Sequence, residues 1–456
     1  MNILYIRTNF PKFSETFIFE EILGLKKRGH NVLVISGFCE FERLHPKLVV
    51  EQAFDFVEYR ADVLGTPRDY NAFMRSRLRQ KGRMGPTTRH YYKNPLRLSI
   101  FKLLALFVGN KISIFKLRDT FENIRQLIKL SRQLDNIWLS MYQCRKKKKF
   151  VPDLIHCPFC TIGSLITARR FSGKYGNIPF TVSFRAKDLY SMYNPEPRIR
   201  RDLVAACSKV MTIAAVNRAE IKHLYPNIGH VPVVHSCIDP DYFSPTRHLR
   251  KKKGLIVSVG RLIEKKGFEY LIEACSLLKN EGHVFSCLII GEGPLESDLR
   301  KLVISKKLEN EITVTGPMLQ SEVKNALDYA EMFVLPCITG GDKNRDILPN
   351  AIKEAMSMAL PVITSNINGI TEMIDDQING FLVASKSSRE LAEKISLLLV
   401  NHKKGRELGI NARRKILDSF HMGKELAKLE SIFHEVCNNS KNRHSRNKQE
   451  KNRFVL

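Results

Sequence analysis

From Gly254 onward the chain alternates short apolar runs with amphipathic stretches, and this alternation restricts the possible folds more than any other feature. GLIVSVG is followed by FEYLIEACSLLKN, FSCLIIGEGP by LESDLRKLVISKKL, EITVTG by QSEVKNALDYA, and MFVLPC by LPNAIKEAMSM and PVITS. Runs this short and this uniformly apolar read as strands buried on both faces, while the intervening stretches carry apolar residues at helical spacing. Parallel strands joined by helices give right-handed crossovers and a doubly wound α/β sheet. Ligands of such sheets sit beyond the carboxyl ends of the strands, so functional residues are expected in the loops that follow them.

A second set of alternating segments occupies the N-terminal half. NILYI, NVLVISGF, DLIHC, IPFTVSF and KVMTIAA read as strands, and SETFIFEEILGLKKRG as a helix capped by Ser14. A further helix is expected from about Thr161 to Phe171. With 456 residues and 43% hydrophobic content there is material for two cores. The expected division is an N-terminal Rossmann-like domain over residues 1–245, with a basic helical insertion at about 62–149, and a second such domain over 246–418. The last helices are expected at roughly Ser388 to Val400 and Lys404 to Cys437, with 419–437 a candidate to return to the first domain. Residues 438–456 are expected to be a disordered basic tail.

The formal charge of +28 is concentrated rather than spread. Between Arg60 and Val151 there are 22 Lys and Arg against 5 Asp and Glu, a net of +17, and the tail after Cys437 has six basic residues and one acidic. Such patches attract nucleic acid, anionic lipid or phosphorylated substrates. The apolar stretch Leu98 to Phe115 is broken by Lys102 and Lys111, and it falls short of the roughly 20 residues a membrane span needs. MNILYIRTNF lacks the features of a secretory signal, and ten cysteines without disulfide-like spacing fit a reducing cytoplasm. A cytoplasmic protein, peripheral on the inner face of the plasma membrane, is the expectation.

Three loops carry candidate chemistry. In SVGRLIEKKGFEYLIEA, Arg261 and Lys266 lie between Gly260 and Gly267 after a strand. A guanidinium fork, an ammonium and free helix amides suit a diphosphate, although a solvated basic loop has the same composition. GEGP at Gly291 to Pro294 lacks the third glycine of a dinucleotide fingerprint and reads as a tight turn. In TGGDKNRDILPNAIKEAM, Pro349 suits a first helical turn, so a helix is expected to start near Leu348 and Pro349. Asp346 then lies in the preceding loop and Glu354 about one and a half turns into the helix. Two carboxylates so placed can accept from hydroxyls on two parts of one elongated ligand, or else cap the helix and decorate its surface.

GRLIEKKG, IGEGP, DILPNAIKEAMSMALPVITS and INGITEMIDDQINGFLV follow one another in the order seen in glycosyltransferase family 4, the retaining enzymes of the GT-B fold. FPKFSETFIFEEILGLKKRGHNVLVIS resembles the opening of the bacterial polysaccharide branch, which includes colanic-acid-type transferases, and VVHSCIDPDYFSP resembles the interdomain strand and loop. The resemblance covers nearly all of Gly254 to Ala384 and is patchy before it. It implies two Rossmann-like domains facing across a cleft. It also implies that Arg261 and Lys266 hold the donor diphosphate beside Gly260, that Glu354 binds the ribose hydroxyls, and that Asp346 touches the donor sugar where the family usually has Glu. The amides of Ile347 and Leu348 would meet sugar or phosphate, and Ser14, Glu15 and Asp188 are acceptor-side candidates. Family members usually retain anomeric configuration without a metal or other cofactor.

The chain departs from the family at named positions. In FTVSFRAKDLY, Arg185 and Ala186 replace a His-Gly pair while Lys187 and Asp188 match; Arg185 is therefore a donor-side candidate. DLIHCPF keeps His156 but has Pro158 where a second His is common, and NRDILP lacks the usual Glu-Gly. CPFC at Cys157 to Cys160 and the acidic pair Asp239 and Asp241 mimic redox and metal motifs, but neither has the surrounding domain or ligand set. The expected function is transfer of a sugar from a nucleotide-diphosphate sugar to a lipid-linked or polysaccharide acceptor in cell-surface polysaccharide synthesis. Alternatives are a nucleic-acid-binding protein using the basic insertion, for which aromatic interleaving is confined to Tyr91 and Tyr92, and another GT-B enzyme such as a sugar-nucleotide epimerase.

Overall fold

The computed structural model describes residues 1–9, 16–38, 57–58, 150–161, 165, 168–169, 172–173, 177–190, 198–246, 251–341 and 345–453. The expected insertion at 62–149, with Leu98 to Phe115, and the acceptor-side candidates Ser14 and Glu15 lie outside the described residues.

In chain order the first elements are β1 (Asn2–Asn9), α1 (Thr16–Lys27), β2 (Asn31–Phe38), β3 (Val57–Glu58), β4 (Leu154–Cys157), β5 (Phe180–Phe184), α2 (Ala186–Tyr190), α3 (Arg198–Ala205), β6 (Lys209–Thr212) and α4 (Val216–Leu224). The strands form one six-stranded sheet in the order β3-β2-β1-β4-β5-β6. Its parallel register sets Ile3 opposite both Val32 and Leu154, and Val182 opposite Val210. Strands β4 and β5 are buried along their whole length, with the polar residues His156, Thr181 and Ser183 enclosed among the apolar ones.

The second sheet is built from β7 (Leu255–Val259), α5 (Phe268–Asn280), β8 (Ser286–Ile290), α6 (Glu296–Ser305), β9 (Ile312–Gly316), α7 (Gln320–Tyr329), β10 (Met332–Leu335), α8 (Asn350–Ser357), β11 (Val362–Ser365) and β12 (Phe381–Val383). Its order is β12-β11-β10-β7-β8-β9. Counted from the first strand of each, both sheets follow the doubly wound order 3-2-1-4-5-6. The two Rossmann-like sheets expected from the alternation are therefore present. In the second sheet the strand order reverses between β7 and β10, which are directly paired through Met332 opposite Ile256. The loops leaving the carboxyl ends of those two strands are where a doubly wound sheet takes its ligand.

By compactness the chain divides into Met1–Thr16 with Gly29–Phe180, and Phe17–Arg28 with Thr181–Leu456. In the latter unit, α9 (Ser388–Val400), α10 (His402–Ser419) and α11 (Met422–Arg453) complete the chain. Leu426 of α11 lies against Gly24 of α1, where a methyl group would stand 2.2 Å from Leu426 Cδ1. Arg28 pairs with Glu430 at 2.8 Å on the same contact.

Three boundaries differ from expectation. The C-terminal helix does not end at Cys437 but runs to Arg453, because NNSKNRHSRNKQEKNR contains no Gly or Pro to stop it and propagation adds one hydrogen bond per residue. The helix expected from Lys404 to Cys437 is broken at Phe420 and His421, where the incoming segment competes for the backbone: Ile238 N–H donates to Phe420 O and Met422 N–H to Ile238 O. Finally, α8 begins at Asn350 with Pro349 as its extended cap rather than its first turn, since φ −59° and ψ 124° place Pro349 outside the helix.

Candidate active site

The loop after β7 and the loop after β10 are clasped to each other. Glu264 to Lys266 form a single 3-10 turn that ends on Gly267, whose φ of 65° is left-handed. A side chain on Gly267 would meet Pro336 O at 2.1 Å, so glycine is what lets the two loops touch. Ile338 N–H donates to Lys265 O at 2.9 Å, and Gly341 N–H is shared by both oxygens of the Glu264 carboxylate. GEGP supports the same place from β8: Gly291 has φ 148° and packs on Gly260 O, where a Cβ would come within 1.8 Å. The glycines of this motif thus serve a close backbone approach, in line with the tight-turn reading.

Within the clasp, Asp346 meets two lysines. Its Oδ1 pairs with Lys265 at 2.8 Å and its Oδ2 with Lys266 in direct contact. Burial works to raise the Asp346 carboxyl, but the Lys266 and Lys265 ammoniums outweigh it and hold the group down at about 2. Burial likewise works against the Lys266 ammonium, and Asp346 reverses the balance and raises it. The Lys266 stem crosses Gly260, where a methyl group would stand 3.2 Å from Cε. Arg261, by contrast, is exposed and has no ion pair among the described residues. Ile347 and Leu348 bury their side chains in the core, and neither main-chain N–H has a hydrogen-bond partner among the described residues. One guanidinium and two amides therefore stand available beside a lysine pair that shares a single carboxylate.

Glu354, in the second turn of α8, is half-buried, and its carboxylate accepts no hydrogen bond among the described residues. Burial pushes its carboxyl up to about 7, with Lys353 and Lys266 as the cations acting against that rise. An ionisable, unsatisfied carboxylate on a rigid helix is suited to accept from paired hydroxyls. Arg185 is buried with its guanidinium over the Phe17 ring at 4.4 Å. Asp188 is also buried and accepts from the Arg185 amide at 2.9 Å, closing the first turn of α2. The structure thus brings Gly260, Arg261, Lys266, Asp346, Ile347 and Leu348 together at the reversal point of the second sheet, with Glu354 in charge range of Lys266.

Sequence reasoning missed Lys265, Lys353 and the His235 cluster. The doubled lysine in EKKG was a visible signal, because adjacent lysines on a one-turn helix can both face one carboxylate. Lys353 is fully buried and donates to Ser236 O and Oγ, and nothing in KEAM distinguishes it from a surface lysine. His235 lies between Glu372 and Glu425 at 3.6 Å from each. The dismissed motifs have structural uses: His156 packs edge-on to Tyr5 at 5.1 Å, burial raises the Cys157 thiol, and Asp239 accepts from the Asp241 and Tyr242 amides.

Residues 243–415 match the family model described as Glycosyl transferases group 1. The putative colanic acid biosynthesis glycosyltransferase WcaL of Salmonella typhimurium is 29% identical over 307 residues, 64% of this chain and 74% of that protein. The amylovoran biosynthesis glycosyltransferase AmsK of Erwinia amylovora is 37% identical over 163 residues, 36% of this chain and 40% of that protein. An Escherichia coli UDP-Gal:alpha-D-GlcNAc-diphosphoundecaprenol alpha-1,3-galactosyltransferase is 24% identical over 355 residues, 72% of this chain and 86% of its own. Among solved structures, Anabaena Alr3699/HepE in complex with UDP and glucose superposes with a TM-score of 0.65 at 15% identity, covering 95% of this chain and 99% of that one. The fold is GT-B, and the chain is a transferase enzyme carrying a group 1 glycosyltransferase domain. Among the described residues no helix is long and apolar enough to cross a membrane.

Proposed function

We propose that this glycosyltransferase moves a sugar from a nucleotide-diphosphate donor to a lipid-linked or polysaccharide acceptor in bacterial exopolysaccharide synthesis, with retention of anomeric configuration and without a metal. The observation that carries this reading is the Arg261, Lys265, Lys266 and Asp346 cluster at the reversal point of the second sheet, with Glu354 close by. A diphosphate there gains the Arg261 fork and the Ile347 and Leu348 amides, and it competes with Asp346 for Lys265 and Lys266. Charge developing on the leaving diphosphate would be stabilised by cations and amides already in place, which is the chief requirement of such a transfer. Glu354 reads the ribose hydroxyls and Asp346 the donor sugar. The names of the relatives, two concerned with exopolysaccharides and one with a diphosphoundecaprenol acceptor, support the acceptor class.

The same reading places the basic segment at 62–149 on anionic lipid, at roughly 1 kcal/mol for each Lys or Arg near the surface. The net +17 between Arg60 and Val151 motivates it. Division into domains at 1–245 and 246–418 belongs to this proposal as well. The test is thermal stabilisation by a panel of UDP, GDP, ADP and dTDP sugars, followed by analysis of the transferred product. A ligand at 100 times its Kd adds about 2.7 kcal/mol, a readily measured shift. Stabilisation by none of them, or steep salt-dependent RNA binding without sugar transfer, would overturn the reading.

A further inference from the structure

Helix α8 is fastened at both ends to the segment that runs from Ser236 to Ser244. At its start, Lys353 has no solvent exposure and its ammonium donates to Ser236 O and, at 2.7 Å, to Ser236 Oγ. At its end, Ser357 Oγ donates to Phe243 O at 2.7 Å. Arg413 of α10 closes the same seam, donating to Ser357 O and to Phe243 O, Pro240 O and Ser244 Oγ. Residues 353 and 357 are one helical turn apart and share a face, so the face toward the segment is polar and fully occupied. Glu354 is rotated by about 100° from Lys353 and points off that face. The segment is itself held: His235 N–H donates to Glu425 of α11 at 2.8 Å, and Ile238 exchanges hydrogen bonds with Phe420 and Met422.

We propose that Lys353 is a positioning residue of the donor site, which, by anchoring the first turn of α8 on Ser236, sets where the Glu354 carboxylate stands for the nucleotide ribose. The proposal rests on the reading of Glu354 as a ribose-binding group. A buried amine is a costly way to fill space, and an apolar side chain of the same length would fill it without the desolvation penalty. What lysine adds is direction, since its ammonium must reach the two Ser236 oxygens. It also adds a positive charge next to Glu354 in the lower part of the neutral range, since burial lowers the Lys353 ammonium from 10.5 to about 7. The charged groups in range of Lys353 are Arg185, Glu354 and Glu425, with the half-buried Cys237 thiol. Of these, Glu354 is the one turned toward the loops of the switch point, so loss of the ammonium acts on the ionisation of Glu354 as well as on its position.

The test is calorimetric titration of the full chain with UDP, GDP, ADP and dTDP, using whichever binds the wild type, across pH 6 to 9. Lys353→Met should weaken binding by about tenfold at neutral pH, the worth of one or two charge-assisted hydrogen bonds. It should also move the pH midpoint of binding upward, which a general loosening of the fold would not do. Ser236→Ala, which keeps the carbonyl and the charge, should weaken binding by about threefold and leave the midpoint in place. Combined with Glu354→Gln, either substitution should cost nothing further, because Lys353 acts through Glu354. If Lys353→Met does not fold, Ser236→Ala and its combination with Glu354→Gln carry the test. Binding by Lys353→Met within twofold of wild type, or losses that multiply in the combined variants, overturns the positioning role while Glu354→Gln still weakens binding. A Glu354→Gln variant that binds like wild type overturns instead the ribose-reading on which the role rests.

Discussion

Asp346 and Lys266 are in direct ionic contact across the two loops that leave β7 and β10, and Lys265 holds the other oxygen of the same carboxylate. The single Asp346 carboxylate thus offsets one of the two lysine charges and leaves the trio with a net positive charge beside Arg261. An aspartate is short enough to stay inside the lysine pair, where a glutamate would extend one methylene further toward the ligand.

Asp346→Asn should separate nucleotide affinity from turnover. Removing the carboxylate frees both lysines, so free nucleoside diphosphate should bind as tightly as to wild type or more tightly, while turnover falls by about 100-fold through loss of the sugar contact. Calorimetry and initial rates with the same donor check this. The variant should also lose a stability term. Asp346 is depressed from 3.8 to about 2, so its contribution is present above pH 3.8 and disappears as pH falls through about 2.

Glu354 should make donor binding pH-dependent near neutrality. Its carboxyl is raised to about 7, and only the ionised form can accept from two hydroxyls. Nucleotide affinity should therefore rise as pH increases through about 7, and in Glu354→Gln it should be weak and flat. Stability follows the opposite sign: the raised carboxyl favours the fold fully below its ordinary value of 4.5, and that contribution is lost as pH rises through about 7.

Arg261→Ala should weaken nucleoside diphosphate binding by about 10- to 100-fold with a change in unfolding free energy within about 0.5 kcal/mol. The side chain is exposed and has no ion pair among the described residues, so the fold does not depend on it. Thermal denaturation without ligand, alongside titration, separates the two effects.

His235→Gln should destabilise the chain most in mild acid. Burial works to lower the His235 imidazole, but Glu372 and Glu425 prevail and raise it. A raised histidine contributes its stabilisation fully below the unfolded value of 6.5 and loses it as pH rises through the higher folded value. The gap in Tm between wild type and variant should thus be widest below pH 6.5 and close above it.

Gly291→Ala should cost about 3 kcal/mol or more and impair donor binding together with stability. At φ 148° a side chain is strained, and its Cβ would overlap Gly260 O at 1.8 Å, pushing on the loop that carries Arg261. Chemical denaturation and nucleotide titration of the variant provide the check.

Much of the site was legible because its parts are local in sequence. Gly260, Arg261 and Lys266 fall in one loop, and Asp346 to Leu348 with Glu354 in another, each following an apolar run that could only be a buried strand. Long-range partners were not legible. Lys353 and Ser236 are 117 positions apart, and a lysine beside a glutamate on an amphipathic helix reads as solvated surface. Likewise His235 meets Glu425 from 190 positions away, and the break at Phe420 lies where the segment at Ile238 bonds the backbone of Phe420 and Met422.

The strand and helix order, two doubly wound sheets and the loops that carry Arg261, Lys266 and Asp346 were determined by the sequence alone, because apolar periodicity and turn chemistry act over a few residues. Only the tertiary structure decided that Asp346 is spoken for by two lysines, that Lys353 is buried against Ser236, and that the half-buried Glu354 carboxylate has no hydrogen-bond partner among the described residues. Those outcomes depend on which distant groups share a low-dielectric neighbourhood, and that is set by the packing of whole elements.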